Sequence, residues 1–178
     1  MNTPKTFLST LISKSRPKKL HVDSIYEIKI NAINSKPINL LHFKGKHILF
    51  VNVSSKCSFT PQYKDLQTLY NKHQDKLEII GIPCNQFANQ EPKNKTEIMS
   101  FCETNYGVTF LITEKIKVKG KNKHPLYTWL TEKINNGVKS SSVKWNFQKY
   151  LVNPDGVLVD YYFPTTNPRS SKITKHLK

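Results

Sequence analysis

The sequence predicts an α/β fold around a mixed central sheet, and three observations carry that reading. Apolar, β-branched runs alternate with helix-spaced segments from residue 47 onward, the pattern of consecutive βα units. Near the C-terminus the turn signal NPDG, residues 153–156, joins FQKYLV to VLVDYYF as a hairpin and so adds antiparallel strands. A chain of 178 residues with 37% hydrophobic content is long enough for one domain with a substantial core and short for two.

The elements follow in order. MNTPKTFLSTLISKSRPKKL, residues 1–20, has no acidic side chain and is rich in Ser, Thr and Lys. It reads as a basic N-terminal extension, disordered or targeting, although FLSTLI is short for a secretory core and no small-residue cleavage site follows. A single domain is expected over 21–178, opening with a β-hairpin in HVDSIYEIKINAINSKPINLLHF whose turn lies at Asn34 to Lys36. Lys44, Gly45 and Lys46 form a turn before a buried strand, His47 to Val53. Thr60 is the expected N-cap and Pro61 the first residue of a helix in which Leu66, Leu69 and Tyr70 recur at helical spacing. LEIIGI (77–82) is a strand, PCNQFANQEPKN (83–94) a loop, and TEIMSFCETNYG (96–107) a helix ending at a glycine. VTFLITEKIKV (108–118) suggests another extended segment. HPLYTWLTEKI (124–134) suggests a helix with Leu126, Trp129, Leu130 and Ile134 on one face, and SSSVKWNF a return into strand. Gly156 supplies positive φ in the hairpin turn, and a final helix is expected from about Asn167.

Composition narrows the function classes. The net charge is +16, from 28 Lys and Arg against 12 Asp and Glu. Lysine supplies nearly all of it and is spread along the chain, without the aromatic-interleaved basic stripe of a nucleic-acid groove. A solvated lysine surface is the first reading and attraction to anionic partners, whether acidic proteins, lipid head groups or nucleic acid, the second; of these, weak contact with an anionic membrane surface is retained and nucleic acid is not expected. No apolar run approaches the roughly 20 residues a membrane span needs, so a soluble, cytoplasmic protein is expected, with organelle targeting by the extension left open. Three widely spaced cysteines, 57, 84 and 102, do not form a secreted disulfide framework and suggest a reducing compartment. Paired spacings typical of structural zinc are missing, and neither a metal nor a cofactor is expected.

VNVSSKCSFTPQY places Cys57 where a strand gives way to a helix start. Free N–H groups and positive partial charge at a helix N-terminus, with Lys56 beside it, favour a thiolate. Cys57 is therefore a candidate reactive thiol, with a packing role as the alternative.

Taken with that stretch, GIPCNQFANQEP, FCETNYGVTF, HPLYTWL and VKWNFQKYLV stand in the order and approximate spacing of one family. The chain resembles the glutathione peroxidases, in their cysteine-containing, thioredoxin-dependent form, over about residues 22–178. The resemblance implies a thioredoxin-like fold and reduction of hydroperoxides, with Cys57 as the peroxidatic thiolate surrounded by Gln90, Trp145 and Asn146. The residue types agree: the Trp145 indole N–H and the Gln90 and Asn146 amides are donors that can point at one sulfur and at the oxygen leaving a broken O–O bond. Singly, each also reads as a core aromatic or a loop amide. The resemblance implies that Cys102 is the resolving cysteine. It would trap a Cys57 sulfenic acid as a disulfide, for which the helix bearing it must unwind, and thioredoxin or a similar protein would then reduce the bridge. The alternative for Cys102 is a small buried residue beside Ile98, Met99 and Phe101. Cys84, after Pro83, reads as a partly buried structural thiol, with a role as an alternative resolving cysteine as the second reading.

The sequence departs from the family pattern at Ser58, Ala88 and Lys93, where glycine is usual, and at Leu111, where proline is. The glycine losses predict altered loop conformations. The segment between Glu132 and Val143 is short where tetrameric members carry an insertion, which implies a monomer with an open site. Arg16 and Arg169 lie far from the motifs, so no arginine cluster for glutathione is visible. Two functions from different classes remain: a peroxidase, with thioredoxin or glutathione as reductant, and a peroxide sensor that relays oxidation to a client protein.

Overall fold

The computed structural model describes residues 24–178; the basic extension 1–20 and the predicted domain start at residue 21 lie outside the described residues. The N-terminal hairpin is present but short. β1 (Ile30–Asn31) and β2 (Pro37–Ile38) pair antiparallel around a turn closed by Ala32 N–H to Lys36 O at 2.8 Å. The flanking residues coil into 3-10 turns at Ile25–Glu27 and Leu40–Phe43, because the Ser24 and Asn39 side chains accept main-chain N–H groups there and start helical turns.

The chain continues through β3 (His47–Val53), α1 (Gln62–His73), β4 (Leu77–Pro83) and α2 (Lys95–Tyr106). Then come β5 (Leu111–Ile112), α3 (Pro125–Thr131), α4 (Lys133–Asn136), β6 (Lys149–Val152), β7 (Leu158–Tyr162) and α5 (Ser171–Thr174). A five-stranded sheet has the order β5-β4-β3-β6-β7. β3, β4 and β5 run parallel and β6 and β7 antiparallel to their neighbours, the mixed sheet expected from βα units followed by a hairpin.

Alternation along the strands divides the core into two layers. Leu49, Val51, Val53, Leu77 and Ile79 pack with Leu66 of α1, Ile98 of α2 and Ile173 of α5. Ile48, Phe50, Ile80 and Ile82 pack with Leu126, Trp129 and Leu130 of α3. β4 is buried along its whole length, Glu78 included, which is why it reads as a largely apolar run.

Five expectations are corrected. Thr60 is not the cap of α1: its hydroxyl bonds Ser54 O and Cys57 N, and Pro61 occupies the N-cap position. The extended segment 108–118 contributes two strand residues. Beyond Ile112 the chain bonds the hairpin instead, through Ile33 N–H to Ile112 O and Glu114 N–H to Asn31 O. The helix expected over 124–134 breaks at Glu132, which is extended, after the Thr131 hydroxyl bonds back to Tyr127 O; Ile134 is consequently exposed. SSSVKWNF is not strand, since Phe147 turns at φ 64° and donates to Asn52 O. The last helix begins at Ser171, because Asn167 accepts from Arg169 N–H and holds a turn.

Candidate active site

The parallel strands β3 and β4 end side by side, Val53 opposite Pro83, and each feeds a loop that carries a predicted site residue. Cys57 lies in the turn between β3 and α1, buried. The turn is tied by Thr60, whose Oγ1 accepts from Cys57 N–H at 2.9 Å and donates to Ser54 O at 3.0 Å. Among the described residues, the hydrogen bond to the sulfur comes from Phe59 N–H at 3.4 Å.

The loop after β4 is bonded directly to that turn. Gln90 O accepts from Lys56 N–H at 3.0 Å and from the Ser54 hydroxyl at 2.7 Å. Ala88 and Asn89, at φ 49° and 50°, bend the chain to bring Gln90 there. Ala88 thus keeps a left-handed conformation that glycine adopts without strain, whereas Ser58 and Lys93 do not need one. The third strand at this edge, β6, is preceded by the turn of Trp145 and Asn146, anchored to β3 by Asn52 Nδ2 to Trp145 O at 2.9 Å.

Asn146 is fully buried and its Nδ2 donates to Gln90 Oε1 at 2.9 Å. With its oxygen so occupied, the Gln90 amide group is oriented to donate. Trp145 is half-buried, packs against the layer containing Cys57, and lies with its ring centroid 5.5 Å from that of Phe87. The structure therefore gathers Cys57, Gln90, Trp145 and Asn146 at one end of the sheet. The expectation of three side-chain N–H groups on one sulfur is corrected: among the described residues the Cys57 sulfur takes Phe59 N–H, and Asn146 directs an N–H to Gln90.

Cys102 is buried near the middle of α2, in the same apolar layer as Cys57. Burial pushes its thiol up to about 11, the nearby Tyr63 hydroxyl acting downward and Glu91 upward. Its other side lines a groove of about 230 Å³ with Ile33, Met99, Val108 and Ile112. All three cysteines are free thiols. Cys84 is fully buried in the opposite layer, beneath α3, with Gln86 N–H on its sulfur at 3.4 Å, and burial raises its pKa. It is thus fully rather than partly buried.

Two fully buried charged side chains, besides the nearly buried Glu78 of β4, were not anticipated. Lys149 is fully enclosed on β6, its Nζ held by Gln62 Oε1 at 2.5 Å, Thr166 O at 2.7 Å and Pro164 O at 3.2 Å. Burial lowers it to about 7. The signal for it was a lysine inside the apolar run KYLV. Glu91, next to Gln90, is also fully buried, accepts the Ser55 hydroxyl at 2.8 Å, and is raised by burial; nothing in NQEP distinguishes it from a surface acid.

Comparison with known proteins follows this geometry. The family model described as glutathione peroxidase matches residues 25–131. The chain is 49% identical over 147 residues to the glutathione peroxidase homolog BsaA of Bacillus subtilis, covering 82% of this chain and 92% of that one. It is 44% identical over 153 residues to the hydroperoxy fatty acid reductase gpx1 of Synechocystis, at 82% and 90% coverage. With the glutathione peroxidase-like peroxiredoxin HYR1 of Saccharomyces cerevisiae it shares 46% over 140 residues, at 78% and 86%. Among solved structures, GPX1 of T. cruzi superposes with a TM-score of 0.68 at 33% identity, covering 87% and 94% of the two chains. A thioredoxin family thiol:disulfide interchange protein from Chlorobium tepidum, at 12% identity, 85% and 93% coverage and a TM-score of 0.54, shares the fold. The fold is thus thioredoxin-like, decorated by an N-terminal hairpin, and the chain belongs to the glutathione peroxidase family.

Proposed function

We propose that the protein is a thiol peroxidase that reduces hydrogen peroxide and organic or lipid hydroperoxides with Cys57. The observation that carries this reading is the Gln90–Asn146 amide pair bonded onto the turn that holds Cys57. The Cys57 thiolate attacks the nearer peroxide oxygen, the O–O bond breaks, and the departing oxygen takes a proton to leave as alcohol or water. Amide and indole N–H groups from Gln90 and Trp145 stabilise the charge developing on that oxygen, while Asn146 orients Gln90. Names of the relatives support the substrate class, since one is called a hydroperoxy fatty acid reductase and another a peroxiredoxin.

The sulfenic acid left on Cys57 is then trapped by Cys102 as a disulfide. A disulfide needs Cα atoms within roughly 7 Å, so α2 opens locally around Cys102 for the bond to form. A thioredoxin-like dithiol protein reduces the bridge by exchange, which restores both thiols. We further propose a monomer whose single domain spans about 21–178, acting in the cytoplasm, with its lysine-rich surface making weak contact with anionic membranes. Among the described residues no helix is long and apolar enough to cross one.

The test is multiple-turnover hydroperoxide consumption, comparing a thioredoxin system with glutathione, for the wild type and Cys102→Ser. Turnover with thioredoxin that is lost in the variant, while one equivalent of peroxide is still reduced, supports the cycle. Undiminished turnover in the variant removes Cys102 from the mechanism. Failure to reduce even the first equivalent overturns the peroxidase reading.

A further inference from the structure

The C-terminal end of β3 turns polar inside the core. Asn52 and Ser54, two positions apart, are both fully buried, and they alternate with the apolar Val51 and Val53. Asn52 follows Ile48 and Phe50 on the face that packs beneath α3. A buried amide or hydroxyl opposes folding unless it is bonded, and Asn52 Oδ1 has no partner among the described residues. The donors of the two side chains are committed. Asn52 Nδ2 donates to Trp145 O at 2.9 Å, 93 positions away, and Ser54 Oγ donates to Gln90 O at 2.7 Å, 36 positions away. Each therefore grips the main chain of one residue whose N–H faces the departing oxygen in the proposed reaction.

The strand needs such links because its ladder to β4 ends here. Cys84 N–H meets Val53 O at 3.1 Å, and beyond that bond the chains diverge into the Cys57 turn and the Gln90 loop. That loop bends through Ala88 and Asn89 in left-handed conformations, which persist where the surroundings hold them. Ser54 Oγ and Lys56 N–H, the latter at 3.0 Å, supply the hold on Gln90 O. Ser54 O also accepts from Thr60 Oγ1 at 3.0 Å, so one residue joins the Cys57 turn to the loop. Gln90 is thereby fixed at both ends, its main-chain oxygen by Ser54 and its Oε1 by Asn146 at 2.9 Å. Trp145 is fixed likewise, its main-chain oxygen by Asn52 and its ring against Phe87 at 5.5 Å.

We infer that Asn52 and Ser54 are positioning residues of the peroxide step: the strand that leads to Cys57 also sets where the Trp145 and Gln90 N–H groups meet the departing oxygen. The inference rests on reading Cys57 as the peroxidatic thiol. Neither side chain is assigned a contact with the reacting atoms; both act through the main chain of their partners. Charge developing on an oxygen is stabilised by donors already in place, and a misplacement of about 1 Å costs up to roughly 100-fold in rate.

The experiment measures reduction of the first equivalent of hydrogen peroxide and, separately, alkylation of Cys57 by iodoacetamide, which develops no charge on a departing oxygen. It uses the wild type, Ser54→Ala, Asn52→Ala, Gln90→Ala, Trp145→Phe and the four double variants that combine a strand change with a donor change. Alanine at 54 keeps the carbonyl that Thr60 bonds, and alanine at 52 keeps the main-chain bonds to Phe147 and Gln148. Each strand variant therefore removes the grip on one partner, and main-chain bonds still hold both loops. Peroxide reduction is expected to slow by about three- to tenfold in each, while Cys57 alkylation stays within about twofold of the wild type. The losses pair specifically. Ser54→Ala has no further effect in the Gln90→Ala background but its full effect beside Trp145→Phe, and Asn52→Ala behaves the opposite way. Equal losses in every background, or a parallel fall in alkylation, overturn the inference, as do unchanged peroxide rates in both strand variants. A wild type that is alkylated at Cys57 but leaves the first equivalent of peroxide unreduced overturns the peroxidase reading instead, so the two failures are told apart within one series.

Discussion

α1 and α2 are each 12 residues long and pack on the same face of the sheet, yet they are held in opposite ways. α1 has no side-chain cap but buries Tyr63, Leu66, Gln67 and Leu69, and its first residue is tied to the far end of the chain through Lys149 and Pro164. α2 buries only Ile98 and Cys102, and its order comes from its ends. Asn94 and Glu97 form a capping box, and Gly107 closes the last turn in a left-handed conformation. Tertiary burial fixes a helix cooperatively with the whole fold, whereas local caps release it at small cost. The turn holding Cys57 is thus built against the helix fixed by burial, and Cys102 sits on the helix held by its caps.

Removing the anchor of α1 is the strongest way to break this contrast. Lys149→Met leaves Gln62 Oε1 and Thr166 O without the lysine donor and is expected to lower global stability by about 3 kcal/mol, read from urea unfolding at pH 7. The effect has a pH signature. The folded Lys149 loses its proton near pH 7, whereas in the unfolded chain lysine keeps it to about pH 10. The unfolded state therefore binds more protons in that window, and wild-type stability should rise relative to Lys149→Met by up to about 1.4 kcal/mol per pH unit there, with no such rise below pH 7. Parallel curves for the two proteins would mean that the three oxygens keep Lys149 charged.

Loosening the caps of α2 tests the other half. Asn94→Ala should cost about 1 kcal/mol of stability and, unusually for a destabilising change, accelerate Cys57–Cys102 disulfide formation by roughly fivefold, followed by non-reducing mass analysis after one equivalent of peroxide. An unchanged or slower rate would show that opening of α2 does not limit that step. Gly107→Ala meets no atom within 4 Å and acts only through its positive φ, so a loss of about 1 kcal/mol with the same direction of rate change is expected. The smallest effect belongs to the loop bearing Gln90. Ala88→Gly relieves the left-handed strain and should add roughly 0.5–1 kcal/mol to the unfolding free energy, without altering the disulfide rate.

The sequence carried the parts of the fold that repeat with a period or end in a recognisable residue. β3, β4, α2 and the β6–β7 hairpin announced themselves by alternation, by a glycine stop or by NPDG. The segments that misled are those in which a side chain competes with a ladder. Thr131 bonding back to Tyr127 accompanies the end of a helix, and the hairpin takes the Ile112 carbonyl and the Glu114 N–H, while Thr113 N–H still bonds Gly81 O of β4. At the site, the turn position of Cys57 followed from strand-then-helix order. The partnership of Asn146 with Gln90, 56 positions apart, did not, because a hydrogen bond between two loops leaves no local trace. Lys149 and Glu91 were hidden for the same reason: burial of a charge depends on which distant oxygens surround it.

The sheet also acts as a partition. Three thiols allow three pairings, but Cys84 lies beneath α3 while Cys57 and Cys102 share the layer beneath α1 and α2. Cys84 therefore packs on the opposite face of the sheet from the other two thiols. In the proposed cycle through a sulfenic acid, this separation disfavours a wrong bridge by architecture alone, without loss of the third cysteine.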